Sequence, residues 1–480
     1  MTEQLRHRGP DGSGVINTPR ATLGHTRLAI LDVDFGQQPM QYGHHWISFN
    51  GEIYNHADLR ARHLAGERFN TRTDTETVLR LYTKYGPRCI DLLDGMFAFA
   101  VIEDGGLFLA RDPLGIKPLY YGSHNDTLVF ASEIKSLTKL TNDIHEFPAG
   151  HWFHTLLGMH RYYGAEQYFE QQDQFNTLEE ALPAINETLQ NSVHKRLMSD
   201  VPLGVSLSGG LDSSIISALA RESIEQLDSF AVGVDGSSDL AAAREVANFL
   251  GTRHHEYVYT QHDMLQALPK VLFSLESFDP ALVRSAIPNY FLARLAADHV
   301  KVILSGEGAD ELYAGYAYLG KVREPAALQA EMISITSSLH NTNLQRADRM
   351  SMAFGLEMRV PFLDVASVGL AFSLPAEWKL HQPGWREKTL LRRTFADRLP
   401  TRIVNRPKEK FSKGAGSSDM IAHLADETIS DAEFTAEKAR LQRDWDYRLP
   451  SKEALYYYRT LHDYYRDEWI MPTMGHSRSI

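Results

Sequence analysis

The segment 205–214, VSLSGGLDSS, constrains the fold more than any other stretch of the chain. An apolar run, Leu203–Leu207, reads as a buried strand, and a helical pattern follows over Ser213–Arg221. A strand that enters a helix through a Ser/Gly turn presents free backbone N–H groups and the positive end of a helix dipole to whatever sits above the turn. Gly209 and Gly210 let that backbone approach an anion closely, and Ser208, Ser213 and Ser214 add hydroxyls. Asp212 suits the helix start, where it can accept from free N–H groups, or a place beside a bound cation. The spacing is not GxxxxGK[ST], so this is not a Walker loop. The bland reading is a turn that only caps a helix.

The same pattern continues on both sides of the turn. Leu178–Arg196 reads as a helix, Ser229–Val234 as a strand, Asp239–Leu250 as a helix and His255–Tyr259 as a strand. His262–Phe278 and Ala286–His299 read as helices, and Lys301–Leu304 as a further strand. Alternation of this kind predicts a parallel, doubly wound sheet with its ligand beyond the C-terminal strand ends. Helices with loops are expected from about residue 329. The first ~160 residues differ: short strands (Ala21–Leu31, Trp46–Asn50, Gly95–Glu103, Gly106–Arg111, Leu119–Tyr121, Thr127–Ala131) alternate with Gly, Asn, Asp and Pro. One helical stretch, Thr73–Tyr85, stands among them. The polar, Gln-rich residues 163–177 read as a linker, giving units 1–162 and 178–480. The whole is expected to be α/β: layered sheets with helices outside, then the parallel sheet.

A second turn follows the strand Lys301–Leu304, in SGEGADE. Ser305, Gly306 and Glu307 lie where a phosphate loop on a neighbouring strand would face them. Glu307, Asp310 and Glu311 put three acids within five residues. Carboxylates beside polyphosphate suit Mg²⁺, which prefers hard oxygens shared with substrate phosphates; the alternative is that they cap the next helix. In RPKEKFSKG, Lys408 and Lys410 stand in a loop where a lysine could stabilise developing charge.

These motifs fall in a specific order. SGGLDSS resembles the PP-loop of ATP pyrophosphatases, which cleave ATP between the α- and β-phosphates. HRGPDGSG, GHTRLAILD, FNGEIYNH, TDTE and GMFAFAVIE precede it, followed by RDPLGIKPLYY and ASEIKSL; FAVGV, SGEGADE, MRVPFLD and RPKEKFSKG come after it. Together they resemble glutamine-dependent asparagine synthetase along nearly the whole chain. The resemblance implies an N-terminal-nucleophile-type αββα sandwich of the class II amidotransferases, followed by a PP-loop domain. It implies a ligase that takes ATP with Mg²⁺, aspartate, and ammonia drawn from glutamine, and proceeds through β-aspartyl-AMP. By motif, Arg27, Asn50, Gly51, Glu52 and Asp74 would bind glutamine, with Asn50 and Gly51 as oxyanion donors. Leu207, Ser208, Val232 and Gly306 would contact the nucleotide, together with Gly209, Gly210, Asp212, Ser213, Ser214 and Ser305 from the two turns. Asp212 and Asp310 would hold Mg²⁺. Glu307 would hold the intermediate and guide ammonia, and Lys408 would assist adenylation.

Two departures qualify this. Class II amidotransferases start with a catalytic cysteine, whereas this chain starts MTEQLRHRGPD and has one cysteine, Cys89, in mid-sequence. Thr2 stands too close to Arg6 to replace a missing strand. The chain as written is therefore expected not to hydrolyse glutamine, truncation being preferred to a true loss of that activity. In SFDPALVRSAIPNY, Arg284 is the candidate for a substrate carboxylate, but Ala281 and Leu282 stand where some relatives have threonines. An amide synthetase for another carboxylate, or a catalytically idle regulatory homologue, are the alternatives. Arg346, Asp348 and Arg349 read as salt bridges of a packed helix, and the 21 histidines form no zinc spacing. The formal charge of −12 argues against a nucleic-acid surface. No apolar run reaches membrane-spanning length, and the lone cysteine suits a reducing cytoplasm. The oligomeric state, a homodimer among the options, is left open.

Overall fold

The computed structural model describes all residues except 20, 169–174, 381–385, 409–414, 416–419, 466–470, 472 and 475–480. Lys410 and much of the 163–177 segment thus lie outside the described residues.

In the first half, a six-stranded antiparallel sheet runs in the spatial order Gly158–Arg161, His151–His154, Gly106–Arg111, Gly95–Glu103, His45–Ile53, Met40–Tyr42. Its central strand Gly95–Glu103 explains the layering. Successive side chains of a strand point to opposite faces. Phe97, Phe99 and Val101 therefore pack under Val78, Leu79 and Tyr82 of the helix Asp74–Tyr85 and Leu59 of the helix His56–His63. Ala98, Ala100 and Ile102 face the other way, against Leu23, Leu119 and Phe147. That second face is covered by a two-stranded sheet (Gly12–Asn17, Thr22–Arg27) and a three-stranded sheet (Thr127–Ala131, Tyr120–His124, Ile144–Glu146). The helix Asp74–Tyr85 starts where the sequence places it because Thr73 caps it, accepting from the Glu76 N–H.

In the second half, five parallel strands lie in the order Arg253–Val258, Asp228–Gly233, Leu203–Ser206, Val302–Leu304, Glu357–Arg359. The fifth, which overlaps the start of MRVPFLD, was not foreseen: three residues carry no periodicity. Leu203–Ser206 and Val302–Leu304 are direct neighbours, so the two Gly-containing turns open side by side. The apolar core does not stop at the junction of the halves. Ile30, Tyr54, Met96, Leu114 and Ile116 belong to one buried cluster with Val205, Leu304 and Val360, while Tyr120, Ala131, Ile134 and Ile144 join Leu275, Ala347 and Met350.

Candidate active site

Gly306 brings the two turns of the parallel sheet into contact. A Cβ on it would lie 2.8 Å from the backbone of Asp212 and Ser213, so no larger residue fits. Gly209 has a left-handed backbone (φ +70°), and Gly210 is the N-cap of the helix Leu211–Arg221. Ser213 Oγ accepts from the Ser208 N–H at 3.2 Å and lies 3.1 Å from Ser208 Oγ, closing the turn. Above it opens a cavity of about 390 Å³ lined by both turns.

Two carboxylates and two ammonium groups meet at the cavity wall. Lys388 Nζ lies 2.5 Å from Asp212 Oδ2 and 2.5 Å from Asp310 Oδ1. Lys408 Nζ lies 2.6 Å from Asp310 Oδ2 and 3.7 Å from Asp212. Burial raises the Asp310 pKa, but Lys388 and Lys408 overcome it and hold the carboxyl far below its usual range. Burial likewise lowers the Lys408 pKa, and Asp310 with Asp212 more than reverses this. Next to Asp310, burial and that neighbour's charge push Glu311 up to about 7, against the hydrogen bond from Tyr316 Oη at 2.5 Å. Glu307 is ion-paired with Arg346 across the cavity.

Several sequence-predicted residues therefore converge: Ser208, Gly210, Asp212, Ser213, Ser305, Gly306, Glu307, Asp310 and Lys408 all line this cavity. Others do not. Leu207 and Val232 are buried in apolar clusters below the sheet edge. Ser214 turns its hydroxyl back to the Gly210 carbonyl at 2.7 Å, supporting the turn from within. Arg284 is displaced from its expected place: its guanidinium is held by Glu453 of the helix Lys452–His462, with Nε donating at 2.8 Å, and it does not line the cavity.

Lys388, Arg346 and Arg406 are among the cavity residues that escaped sequence reasoning. Lys388 sits in no motif. Arg346 was assigned to helix salt bridges, yet its partner is Glu307, 39 residues away in sequence. Arg406 clamps the Ser/Gly turn, with Nη1 donating to the Gly209 carbonyl at 3.1 Å and Nη2 to Asp239 at 2.6 Å. Its place two residues before Lys408 was the available signal. Asp348 and Arg349 do behave as a buried network, but one that crosses to the first half through Arg8 and Glu133.

A second cavity, of about 970 Å³, lies between the sheets of the first half and holds Arg27, Asn50, Gly51, Glu52 and Asp74 together. Asn50 and Glu52, two apart on the strand His45–Ile53, share the face turned to the cavity. The Asn50 amide nitrogen is buried without a hydrogen-bond partner. Arg27 donates to the carbonyls of Val33 (2.7 Å) and Asp32 (2.8 Å), which fixes its guanidinium at the rim. Asp74 accepts from the Ile53 and Thr75 N–H groups, both at 2.8 Å. Burial nevertheless pushes its pKa up to about 6. Burial also raises Glu52, with Asp74 adding to the shift and Arg359, 3.4 Å away, opposing it. Cys89 is fully buried, in the apolar cluster under the helices, and burial raises its thiol pKa, which disfavours the thiolate.

Residues 1–179 match the glutamine amidotransferase domain family, and residues 184–331 and 320–469 match the asparagine synthase family. The chain is 39% identical, over 96% of its length, to a probable glutamine-hydrolysing asparagine synthetase of Schizosaccharomyces pombe, and covers 89% of that protein. Identity is also 39% to the glutamine-hydrolysing asparagine synthetase B of Escherichia coli K12, with 96% of this chain and 86% of that one aligned. It is 38% to asparagine synthetase 2 of Arabidopsis thaliana, with 96% and 83% aligned.

Proposed function

The chain belongs to the glutamine-hydrolysing asparagine synthetase family, and on that premise we propose that it converts aspartate, ATP and ammonia to asparagine, AMP and pyrophosphate. The observation that carries the reading is the meeting of Asp212, Asp310, Lys388 and Lys408 at the two turns. Residues 178–480 are the ATP-using unit and residues 1–162 the glutamine-binding unit. The β-carboxylate oxygen of aspartate attacks the α-phosphorus, the bond to the β-phosphate oxygen breaks, and pyrophosphate leaves with β-aspartyl-AMP formed. Ammonia then adds to the acyl carbon, AMP departs, and the added nitrogen gives up a proton. Lys388 and Lys408 stabilise the charge gathering on pyrophosphate in the first step, a task for preorganised cations in a water-poor site.

The residues also fit a magnesium ion. Asp212 Oδ1 is buried with no hydrogen-bond partner, and two carboxylates plus phosphate oxygens make the donor set that Mg²⁺ prefers. Asp212 and Asp310 would hold it, and when bound it neutralises charge on the β- and γ-phosphates. In the other cavity, Arg27 would take the carboxylate of glutamine, Glu52 and Asp74 its amine and carboxamide, and Asn50 with the Gly51 N–H a developing oxyanion. The orphaned Asn50 donor supports that assignment.

The test is pyrophosphate release by the purified chain with Mg-ATP, ammonium and aspartate, with asparagine measured in parallel. Release that requires aspartate and equals the asparagine formed is the expected result. Release that is indifferent to aspartate overturns the choice of acid, and absence of release with any acid overturns the ligase reading.

A further inference from the structure

The wall of the ATP cavity contributed by the helix Pro280–Ala297 has an unusual chemistry. Ala281, Leu282, Ser285 and Asn289 line the cavity. Their spacing puts them on one face of the helix. None of them is charged. Arg284, one position before Ser285, is turned away to Glu453. Ser285 spends its hydroxyl on the carbonyls of Ala281 and Leu282, each at 3.0 Å. That leaves Asn289. It is 95% buried, with a relative exposure of 5%, and its amide nitrogen has no hydrogen-bond partner. A buried donor left unmade is costly, so a side chain of this kind in a cavity wall calls for a ligand group.

We propose that the Asn289 side-chain amide binds the amino-acid substrate and helps set which acid is accepted, by donating to an oxygen of the carboxylate that is not activated. The argument for the acid, rather than the nucleotide, comes from the layout of the cavity and rests on the ligase reading above. Pyrophosphate belongs with Lys388 and Lys408. In an in-line displacement the attacking carboxylate stands across the α-phosphorus from the leaving group. Among the described residues, no hydrogen bond joins the cavity-lining Ala281, Leu282, Ser285 or Asn289 to Asp212, Asp310, Lys388 or Lys408. Arg346, another cation lining the cavity, is paired with Glu307. With Arg284 committed elsewhere, the neutral amide of Asn289 is the donor this helix offers to a second carboxylate. An amide holds a carboxylate less tightly than a guanidinium does, so the expected enzyme has a weak grip on its acid and tolerates an acid whose far end is a neutral carbonyl.

Two variants test this, Asn289→Leu, which keeps the size and removes the donor, and Asn289→Asp, which puts a negative charge in its place. Pyrophosphate release is measured against aspartate and ATP separately. Binding of aspartate in the presence of Mg²⁺ and α,β-methylene-ATP is measured by calorimetry, which needs no turnover. The expected result is a rise in the aspartate KM and Kd of about tenfold or more in Asn289→Leu, a larger one in Asn289→Asp, and an ATP KM within twofold of the parent. The unchanged ATP KM also shows that the variants are folded. Equal aspartate binding in parent and Asn289→Leu overturns the proposal, as does an ATP KM that rises with it, which would assign the amide to adenosine. If the parent binds aspartate but releases no pyrophosphate, the ligase reading fails while the binding comparison still decides the role of Asn289.

Discussion

Lys388 holds a left-handed backbone (φ +58°), which a side-chain-bearing residue rarely adopts, and its side chain is 2% exposed, with the ammonium between two carboxylates. A strained, buried cation of this kind is kept in place by its surroundings for a purpose. Lys388→Ala is expected to slow pyrophosphate formation about 100-fold or more, read in a single-turnover experiment at saturating ATP; a loss under threefold would reduce Lys388 to a structural role. Gly306→Ala is expected to abolish activity, because its Cβ would press on the backbone of Asp212 and Ser213, and ATP-dependent thermal stabilisation should vanish with it. At this scale the sequence was informative where chemistry lies inside a motif. Asp212, Asp310 and Lys408 could be named because SGGLDSS, SGEGADE and RPKEKFSKG are contiguous. Lys388 and Arg346 could not, since what makes them part of the site is a partner 176 or 39 residues away. Arg284 shows the same limit: its type suits a carboxylate, and the one it meets in the structure is Glu453 of the protein itself.

The helix Asn343–Met352 does more than its charge pattern implies. At its start, Asn343 donates to Glu311 at 3.1 Å, and Arg346 reaches Glu307, both in the cavity above the two turns. At its other end Met352 lines the cavity between the sheets of the first half, and Asp348 accepts from Arg8 of that same cavity at 2.7 and 3.0 Å. Ten residues thus touch both cavities. Asp348→Asn leaves the Arg8 guanidinium buried with one carboxylate fewer, and breaking a buried pair costs about 3–5 kcal/mol. Urea unfolding should show that loss, and a change under 1 kcal/mol would mean that Glu133 suffices. The sequence correctly read helical charges there. It could not tell a charge that faces solvent from one that crosses to another element, because helical periodicity records which residues share a face and not what that face meets.

Across the whole molecule, the two halves share their apolar clusters, so heating should produce one cooperative transition; two separable transitions would contradict the continuous core. The junction is also tied by Glu146 of the first half, which accepts from Arg111 at 2.8 Å and pairs with His340 of the second at 2.7 Å. Burial raises the pKa of Glu146, but Arg111 and His340 more than compensate and bring it down to about 2. A carboxyl with a folded pKa below its unfolded value stabilises the protein above the unfolded pKa and loses that contribution as pH falls through the folded one. For Glu146 the window runs from about 4.5 down to about 2. In urea unfolding between pH 5 and 3, Glu146→Gln should therefore show a shallower acid loss than the parent, and identical slopes would exclude this contribution.

What the sequence by itself determined was everything local: the strand–turn–helix of the phosphate loop, the alternation that demands a parallel sheet, the period-two strand Gly95–Glu103 between two layers, and a set of motifs whose order points to one family. Each is a property of neighbouring residues, and neighbours fix periodicity and turn chemistry. What only the tertiary structure decided was which charges meet. It set Leu203–Ser206 beside Val302–Leu304, closed Lys388 and Lys408 over Asp212 and Asp310, paired Arg284 with Glu453 and left the buried Asn289 amide in the cavity wall without a hydrogen-bond partner. Electrostatic pairing and desolvation depend on distances between residues far apart in the chain, and those distances exist only once the sheet has chosen its order.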